Sequence, residues 1–210
     1  QYLPYFCLDD PWYTEITIRQ MLSHTSGMPD MEESEYDELV AHPEVDEGAP
    51  ERYVRSLSHM KMVAAPGERF FYSNIAYNVL GDLIAKVSGQ TFEDYMHTHI
   101  LSPAGMPASA FSHLDVPADR LALPHLRIPR MIVNPIYPYH RADAPASFLH
   151  TTVVEMCNWA ITCLNRGLHN GQRILSPASF DLMWTPVVDR GSPPLYESHG
   201  LGWVLGHYEG

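Results

Sequence analysis

Lysine is scarce in this sequence: the 210 residues contain Lys61 and Lys86, against 25 acidic residues and a formal net charge of −12. Binding to phosphate backbones requires clustered basic side chains, so the composition argues against nucleic acid as a partner. Long hydrophobic runs are also missing, and the sequence therefore predicts no transmembrane segment. The first ten residues, "QYLPYFCLDD", lack the basic and apolar regions of a signal peptide.

Cysteine is rare, with three residues and no C-x-x-C spacing, which excludes a zinc ribbon and a disulfide-rich scaffold. Cys157 and Cys163 lie six positions apart on a predicted helix, on different faces, so they do not bridge each other. The redox state of these two thiols and of Cys7 stays open. The closest histidine pair, His97 and His99, also points to different helix faces, and we predict no metal site.

Apolar residues make up 45% of the sequence, enough for a core, and they follow a helical period most clearly between Ser73 and Ser88. Ser73 is a suitable N-cap, and Gly89 stands where a helix-ending glycine belongs. The apolar positions of this predicted helix are Ala76, Val79, Leu80, Leu83, Ile84 and Val87.

The remaining pattern is mainly helical. A capping box, Thr152-x-x-Glu155, predicts a helix whose inward stripe contains Val153, Cys157, Ala160, Ile161 and Leu164. The proline-rich residues 104–150 predict a long ordered loop, and "GLGWVLGHY" at 200–208 predicts a strand. Further helices are predicted at 14–23, 34–41, 50–62, 91–100 and after Ser176-Pro177.

Negative charge is concentrated in one segment, since ten of the 25 acidic residues fall between Asp30 and Glu51. Such a segment is typical of a solvated surface. A lid over a cleft that prefers cationic or neutral ligands would have the same composition. The sequence leaves both interpretations open.

Two stretches carry residues suited to catalysis: "ITIRQMLSHTSGMPD" at 16–30, and Tyr72-Ser73-Asn74, which opens a helix after "PGERF". Taken alone, a tyrosine before a capped helix usually packs in the core. A free phenol has a pKa of about 10, so a tyrosine that acts as a base near neutral pH needs a neighbouring cation. The motif is therefore incomplete without a further residue.

These stretches resemble blocks of the serine β-lactamase and penicillin-binding-protein superfamily, in its branch of class C β-lactamases, D-alanyl-D-alanine carboxypeptidases and related esterases. "YLPYF", "ILSPAGM" and "GQRILSPASFDLM" match further blocks in the same order. The resemblance implies a β-lactamase/transpeptidase-like α and β fold. Residues 1–210 would be a partial catalytic domain, with 13–185 mainly helical lobe and loops and 198–210 the beginning of a sheet strand.

The resemblance also implies roles for particular residues. Tyr72 matches the tyrosine that transfers the proton of the nucleophile, and Asn74 matches the asparagine that donates a hydrogen bond to the substrate carbonyl. A loop near the cleft rim would contain Ser26, Gly27, Met28, Pro29 and Asp30.

The reaction that the resemblance implies is hydrolysis through an acyl-serine, on β-lactams, D-Ala-D-Ala peptides or small esters. It requires no organic cofactor, and its partner is a small-molecule or peptidoglycan-like substrate. A periplasmic or secreted location is favoured by the resemblance only. Which substrate is used, and the oligomeric state, stay open.

The sequence departs from the superfamily pattern in its nucleophile. The family's Ser-x-x-Lys motif precedes the block matched by "YLPYF", and its Lys-Thr-Gly or His-x-Gly motif follows the block matched by "GLGWVLGHYEG". The one Ser-x-x-Lys here, Ser58 to Lys61, lies between the two catalytic stretches, and we assign it a surface or packing role. We therefore expect an internal segment of a longer hydrolase, inactive alone; the alternative is a non-catalytic pseudoenzyme or binding module.

Overall fold

The structure is a computed structural model that describes residues 2–127, 129–134, 137–192 and 196–207. Short 3-10 turns cover Pro11–Glu15, Leu57–His59, His113–Asp115 and Arg141–Asp143, and a π-helical turn covers His97–Leu101. The α-helices of the described residues are α1 (Ile18–Leu22), α2 (Glu33–Ala41), α3 (Ala49–Ser56), α4 (Asn74–Ser88), α5 (Phe92–Met96), α6 (Ala144–Ser147), α7 (Val153–Leu164) and α8 (Pro177–Met183).

The strands of the described residues are short and form three antiparallel sheets. Two of these are hairpins, and the third has the order β5-β6-β7, with His199 of β6 opposite both Val188 and Val204. The strands are β1 (His125–Arg127), β2 (Met131–Val133), β3 (Leu168–His169), β4 (Gln172–Arg173), β5 (Val188–Ser192), β6 (Tyr196–His199) and β7 (Val204–Leu205).

The prediction of a single strand at 200–208 needs correction. Among the described residues the strand there is only β7, and it is the third strand of a sheet that begins at Val188. Residues 208–210 lie outside the described residues. Residues 188–199 do not alternate between apolar and polar side chains, which is why the pattern did not predict the first two strands. The predicted loop at 104–150 likewise contains the hairpin β1-β2 and α6.

Helix α4 forms the centre of the helical part, and its prediction is confirmed. The Ser73 hydroxyl accepts from the Ala76 N–H at 3.1 Å, and Gly89 ends the helix with a left-handed φ of 71°. The helix contacts α1, α3, α5 and α6. Its apolar face lies in a core with residues from the preceding helices, although Val87, assigned to the stripe, is exposed; the buried core residues here are Leu8, Met21, Met28, Val54, Leu57, Ile75, Ala76, Val79 and Leu80.

Helix α7 forms where its capping residue predicts, but its stripe does not face inward. Val153 is 82% exposed and Leu164 is 81% exposed, and the buried residues of the helix are Glu155, Thr162 and Cys163. The predicted stripe therefore faces outward in the described part of the chain. Cys157 is exposed, so the two thiols of this helix do lie on different faces.

The capping box of α7 is only half present. Thr152 accepts from the Glu155 N–H at 3.2 Å, as predicted. The Glu155 carboxylate does not return to Thr152 and instead accepts from the Ala108 N–H at 2.9 Å and from the Ser109 hydroxyl. The buried carboxylate thus connects α7 to the loop that follows α5.

The three-stranded sheet is attached to the helical part by backbone hydrogen bonds. The Gly202 N–H donates to the Leu22 carbonyl at 2.9 Å, and the Leu201 N–H donates to the Met183 carbonyl at 3.0 Å. The same Leu22 carbonyl accepts from the Tyr77 hydroxyl of α4 at 2.9 Å. The end of α1 therefore holds α4 and the β6-β7 connection together. No helix of the described residues has the length and apolar character needed to cross a bilayer.

Candidate active site at the start of α4

Ser73 fixes the backbone at the centre of the Tyr72-Ser73-Asn74 motif. The residue is fully buried and extended, with φ −149° and ψ 110°. Its hydroxyl donates to the Pro29 carbonyl at 2.7 Å while accepting from the first turn of α4. Because a hydroxyl can donate and accept at once, one side chain both starts the helix and attaches it to residues 26–30.

Asn74 is held by Asp30 and contacts Tyr72. The Asn74 backbone N–H donates to Asp30 Oδ1 at 2.8 Å, and the amide Nδ2 donates to Asp30 Oδ2 at 3.3 Å. The Tyr72 hydroxyl donates to Asn74 Oδ1 at 3.0 Å. The structure therefore brings three of the predicted residues into one hydrogen-bonded chain. Tyr72 is 49% exposed, so its phenol is open to the surface.

Residues 26–30, which the resemblance places near a cleft rim, contact the start of α4 through Pro29 and Asp30. Ser26, Gly27 and Met28 are buried, and only Pro29 and Asp30 are partly exposed. Gly27 has a φ of 75°, and a Cβ at this position would collide with the Ala64 carbonyl. Burial of the first three residues and partial exposure of the last two are what the described residues show here; a place for this loop at the rim of a cleft stays a prediction.

His24 is a residue to which the sequence analysis assigned no role. Its Nδ1 accepts from the Ser73 N–H at 3.2 Å, and its carbonyl accepts from the Phe71 N–H at 2.8 Å. The imidazole lies 4.5 Å from the Tyr72 ring and 5.0 Å from the Tyr77 ring, measured between centroids. The sequence signal for a role of His24 is its place in His24-Thr25-Ser26-Gly27, within one of the stretches that resemble the superfamily. Nothing in the sequence shows that His24 contacts Ser73, 49 positions away.

Two further unanticipated residues come from the sheet. His199 is buried, with its ring 5.0 Å from that of His24, and neither of its ring nitrogens has a hydrogen-bond partner among the described residues. The Arg190 guanidinium lies 4.6 Å above the Phe70 ring, which in turn packs against His199. Burial, then the positive charge of Arg190, lowers the pKa of His199 to about 4.

The electrostatic environment of Tyr72 favours its neutral form. Burial raises the pKa of the phenol above its ordinary value, and the carboxylates of Asp30 and Asp143 raise it further. Asp143 is itself buried and accepts from Asn78 Nδ2 at 2.8 Å, one turn along α4 from Asn74. Burial raises the pKa of Asp143 as well. With these neighbours alone, Tyr72 is a poor proton acceptor at neutral pH.

Both lysines of the chain are engaged away from this motif. Lys86 Nζ donates to the Glu51 carboxylate at 2.6 Å, and Lys61 Nζ lies 4.0 Å from Asp9. Ser58, the serine of the Ser-x-x-Lys match, is exposed in the turn Leu57–His59. The geometry does not place this serine or either lysine against Tyr72.

The histidine pair that could have suggested a metal has other contacts. His97 Nε2 lies 3.3 Å from the Pro107 carbonyl, and the His99 ring packs at a tilt against Tyr95 with centroids 4.5 Å apart. Within the described ranges, no group of three or more His, Cys, Asp or Glu side chains is arranged to hold a metal ion.

Comparison with known proteins now decides the family. A family model described as Beta-lactamase matches residues 1–210. The chain belongs to the beta-lactamase family. The predicted membership in the serine β-lactamase and penicillin-binding-protein superfamily is confirmed.

Curated relatives include "Unguisins hydrolase ungD'" from Aspergillus campestris, 27% identical over 98% of this chain and 38% of the relative. Another is "D-alanyl-D-alanine-carboxypeptidase/endopeptidase AmpH" from Escherichia coli, 26% identical over 91% of this chain and 48% of the relative. The chain therefore spans less than half the length of these relatives.

Among solved structures, the octameric penicillin-binding protein homologue from Pyrococcus abyssi superimposes with a TM-score of 0.71 at 27% identity. The match covers 94% of this chain and 47% of that protein. The predicted β-lactamase/transpeptidase-like fold is confirmed by this likeness.

Proposed function

We propose that these residues form the helical part of a longer serine hydrolase that cleaves acyl compounds through an acyl-serine intermediate. The observation that carries the proposal is the 3.0 Å hydrogen bond from the Tyr72 hydroxyl to Asn74 Oδ1, at a partly exposed helix start where Asp30 holds Asn74. Tyr72 then transfers the proton of the nucleophilic serine, and Asn74 binds the substrate carbonyl. The lengths of the relatives support a longer protein.

Asn74 is suited to bind a substrate carbonyl because its amide oxygen and its amide nitrogen have different hydrogen-bond partners. Its Oδ1 accepts from Tyr72, and one N–H of Nδ2 points to Asp30. An amide nitrogen carries two N–H donors, so the second is left for an acceptor on a substrate. Asp30 fixes the orientation of this donor through two hydrogen bonds. Fixed donors stabilise developing charge more effectively than mobile ones.

Tyr72 requires an ammonium group to act as a base. Its raised pKa opposes phenolate formation, and the two lysines of this chain are paired with Asp9 and Glu51. The lysine of a Ser-x-x-Lys motif, placed beside Tyr72, would favour the phenolate and be attracted by Asp30 and Asp143. We therefore propose that serine and lysine both come from outside the 210 residues, and that the chain alone is inactive.

The proton balance of the reaction follows from these roles. With Tyr72 in the phenolate form that the ammonium favours, the serine Oγ bonds to the acyl carbon while its proton passes to the phenolate. The bond from the acyl carbon to the departing group then breaks, and Tyr72 delivers the proton to that group. Hydrolysis of the acyl-enzyme repeats the sequence with water as the nucleophile and serine as the departing group. The substrate class is an amide or ester acyl compound, including β-lactams, D-alanyl peptides and small esters; the names of the two relatives support hydrolysis.

A non-catalytic binding protein of the same fold is the second candidate. The engagement of both lysines elsewhere favours it, because a Tyr72 that never meets an ammonium has no means of activation. In that case Asn74 and Asp30 would bind a ligand without turnover. The two candidates differ in whether Tyr72 affects a rate.

The test is Tyr72→Phe in the full-length protein, with hydrolysis of a chromogenic cephalosporin and of a p-nitrophenyl ester as readouts. We expect kcat/KM to fall by about 100-fold or more, because a positioned general base contributes about 10²–10⁴-fold. Tyr95→Phe is the matched control, since that residue lies in α5, outside the motif, and its ring packs against His99. Unchanged turnover in Tyr72→Phe would reject the proposed role, and no turnover in the unaltered protein would favour the binding protein.

A further inference from the structure

Resting on the proposed function, we infer that His24 is a positioning residue for the reaction: its Nδ1 and its carbonyl hold the backbone on both sides of Tyr72, and its ring supports the phenol. His24 would not touch the substrate. It would act by keeping the Tyr72 hydroxyl in position. This role is separate from helix capping, which Ser73 performs.

The two hydrogen bonds carry the argument. The Phe71 N–H donates to the His24 carbonyl at 2.8 Å, and the Ser73 N–H donates to His24 Nδ1 at 3.2 Å. Phe71 and Ser73 are the two chain neighbours of Tyr72. A single residue therefore fixes the peptide on either side of Tyr72, whose side chain is half-exposed.

Ring packing supplies the second restraint. The centroid of the His24 imidazole lies 4.5 Å from that of the Tyr72 ring and 5.0 Å from that of the Tyr77 ring. Offset and tilted ring contacts at such distances are favourable. The imidazole thus packs against Tyr72, which stays half-exposed.

His24 can do this because its own backbone is held in an uncommon conformation. Its φ is 54°, in the left-handed region that residues other than glycine rarely adopt. The Thr25 N–H donates back to the Gln20 carbonyl at 2.8 Å, and the Thr25 carbonyl accepts from the Gly67 N–H at 2.7 Å. Backbone strain of this kind clusters at functional sites and persists where surrounding bonds enforce it.

The role also requires a particular charge state. Nδ1 accepts a hydrogen bond only while it is unprotonated, so the imidazole must be neutral. The titratable and charged groups that face His24 are the phenols of Tyr72 and Tyr77, the His199 ring of β6 and the Arg190 guanidinium of β5. Burial, then His199 and Arg190, lowers the pKa of His24 to about 4, so Nδ1 remains an acceptor at neutral pH.

The experiment uses the full-length protein with His24→Phe and His24→Asn. Phenylalanine keeps an aromatic ring but has no acceptor; asparagine places an oxygen near the position of Nδ1 and tolerates a positive φ. The readout is the rate of acylation by a fluorescent penicillin. We expect His24→Phe to lose about tenfold or more, since small misplacement of a catalytic group can cost up to about 100-fold. His24→Asn should recover most of that loss.

The double variant Tyr72→Phe/His24→Phe separates positioning from general destabilisation. If His24 acts through Tyr72, the double variant should be no slower than Tyr72→Phe alone. A full additional loss would overturn the inference. The inference would also be overturned if His24→Phe kept the acylation rate of the unaltered protein while Tyr72→Phe lost it. If Tyr72→Phe kept that rate, the proposed function itself would be rejected.

If His24→Phe does not fold, the pH dependence of the acylation rate tests the role of His24 instead. Protonation of Nδ1 turns an acceptor into a donor that faces the Ser73 N–H, so acylation by the unaltered protein should decline as pH falls towards about 4. The asparagine variant has no such titration, and its acid decline should lie at lower pH. Identical acid declines in the two proteins would overturn the inference.

Discussion

Helices α4 and α7 begin with the same kind of N-cap, but their apolar stripes lie in opposite environments. Ser73 accepts from the Ala76 N–H at 3.1 Å, and Thr152 accepts from the Glu155 N–H at 3.2 Å. Both helices carry a helical apolar stripe. The stripe of α4 lies largely in the core between α1, α3, α5 and α6, whereas that of α7 faces outward.

The difference shows what a cap and a period determine. They determine that a helix forms and where it starts, because those depend on local hydrogen bonds and on neighbours three and four positions away. They do not determine which face is covered, because that depends on the elements that pack against it. At α7 the face in contact with the rest of the described chain carries Glu155 and Thr162, both hydrogen-bonded.

The strongest test of this difference removes one apolar side chain from each helix. Ile75 in α4 is fully buried, so Ile75→Ala should lower the free energy of unfolding by about 2–5 kcal/mol. Leu164→Ala in α7 should change it by less than about 0.5 kcal/mol, since that side chain is mostly exposed. Urea denaturation measures both, and equal losses would show that α7 is covered as fully as α4.

A smaller effect should distinguish the two caps. Ser73→Ala removes the cap and also leaves the Pro29 carbonyl without the hydroxyl it binds, so we expect a loss of about 2 kcal/mol. Thr152→Ala removes a cap alone and should cost about 1 kcal/mol or less. Thermal unfolding compares the two variants. A larger loss at Thr152 would contradict the structural role given to Ser73.

The smallest effect at neutral pH concerns the buried histidines beside α4. In the unfolded chain a histidine titrates near its ordinary pKa of about 6.5, whereas His24 and His199 have pKa values lowered to about 4 in the folded protein. Between these values the unfolded chain binds protons that the folded chain does not. The stabilisation is therefore complete above pH 6.5 and is lost as pH falls towards 4.

His199→Phe is the variant that tests this pH dependence. It removes one titration and two buried nitrogens without partners among the described residues, so stability at pH 7 should be equal or up to about 1 kcal/mol higher. Its loss of stability between pH 6.5 and 4.5 should be smaller than in the unaltered protein. Parallel pH profiles would show that His199 does not titrate between those values.

The features that the sequence predicted are those that depend on residues close together in the chain. The bounds of α4 and the adjacency of Tyr72 and Asn74 are local, and the sequence predicted them. The hydrogen bonds from Asn74 to Asp30 and from Ser73 to His24 join residues more than 40 positions apart, which no periodicity encodes. The packing of His199 on His24 also required a sheet whose first two strands lack an alternating pattern.

The central claim is that Tyr72 transfers the proton of a nucleophilic serine outside these 210 residues, and that Asn74 binds the substrate of that serine. The most direct measurement is mass-spectrometric mapping of the acylated peptide, after brief exposure of the full-length protein and of Tyr72→Phe to a penicillin. The account predicts an adduct on the serine of a Ser-x-x-Lys motif that precedes Gln1, with formation at least about 100-fold slower in the variant. An adduct on Ser58, or equal rates in the two proteins, would contradict it.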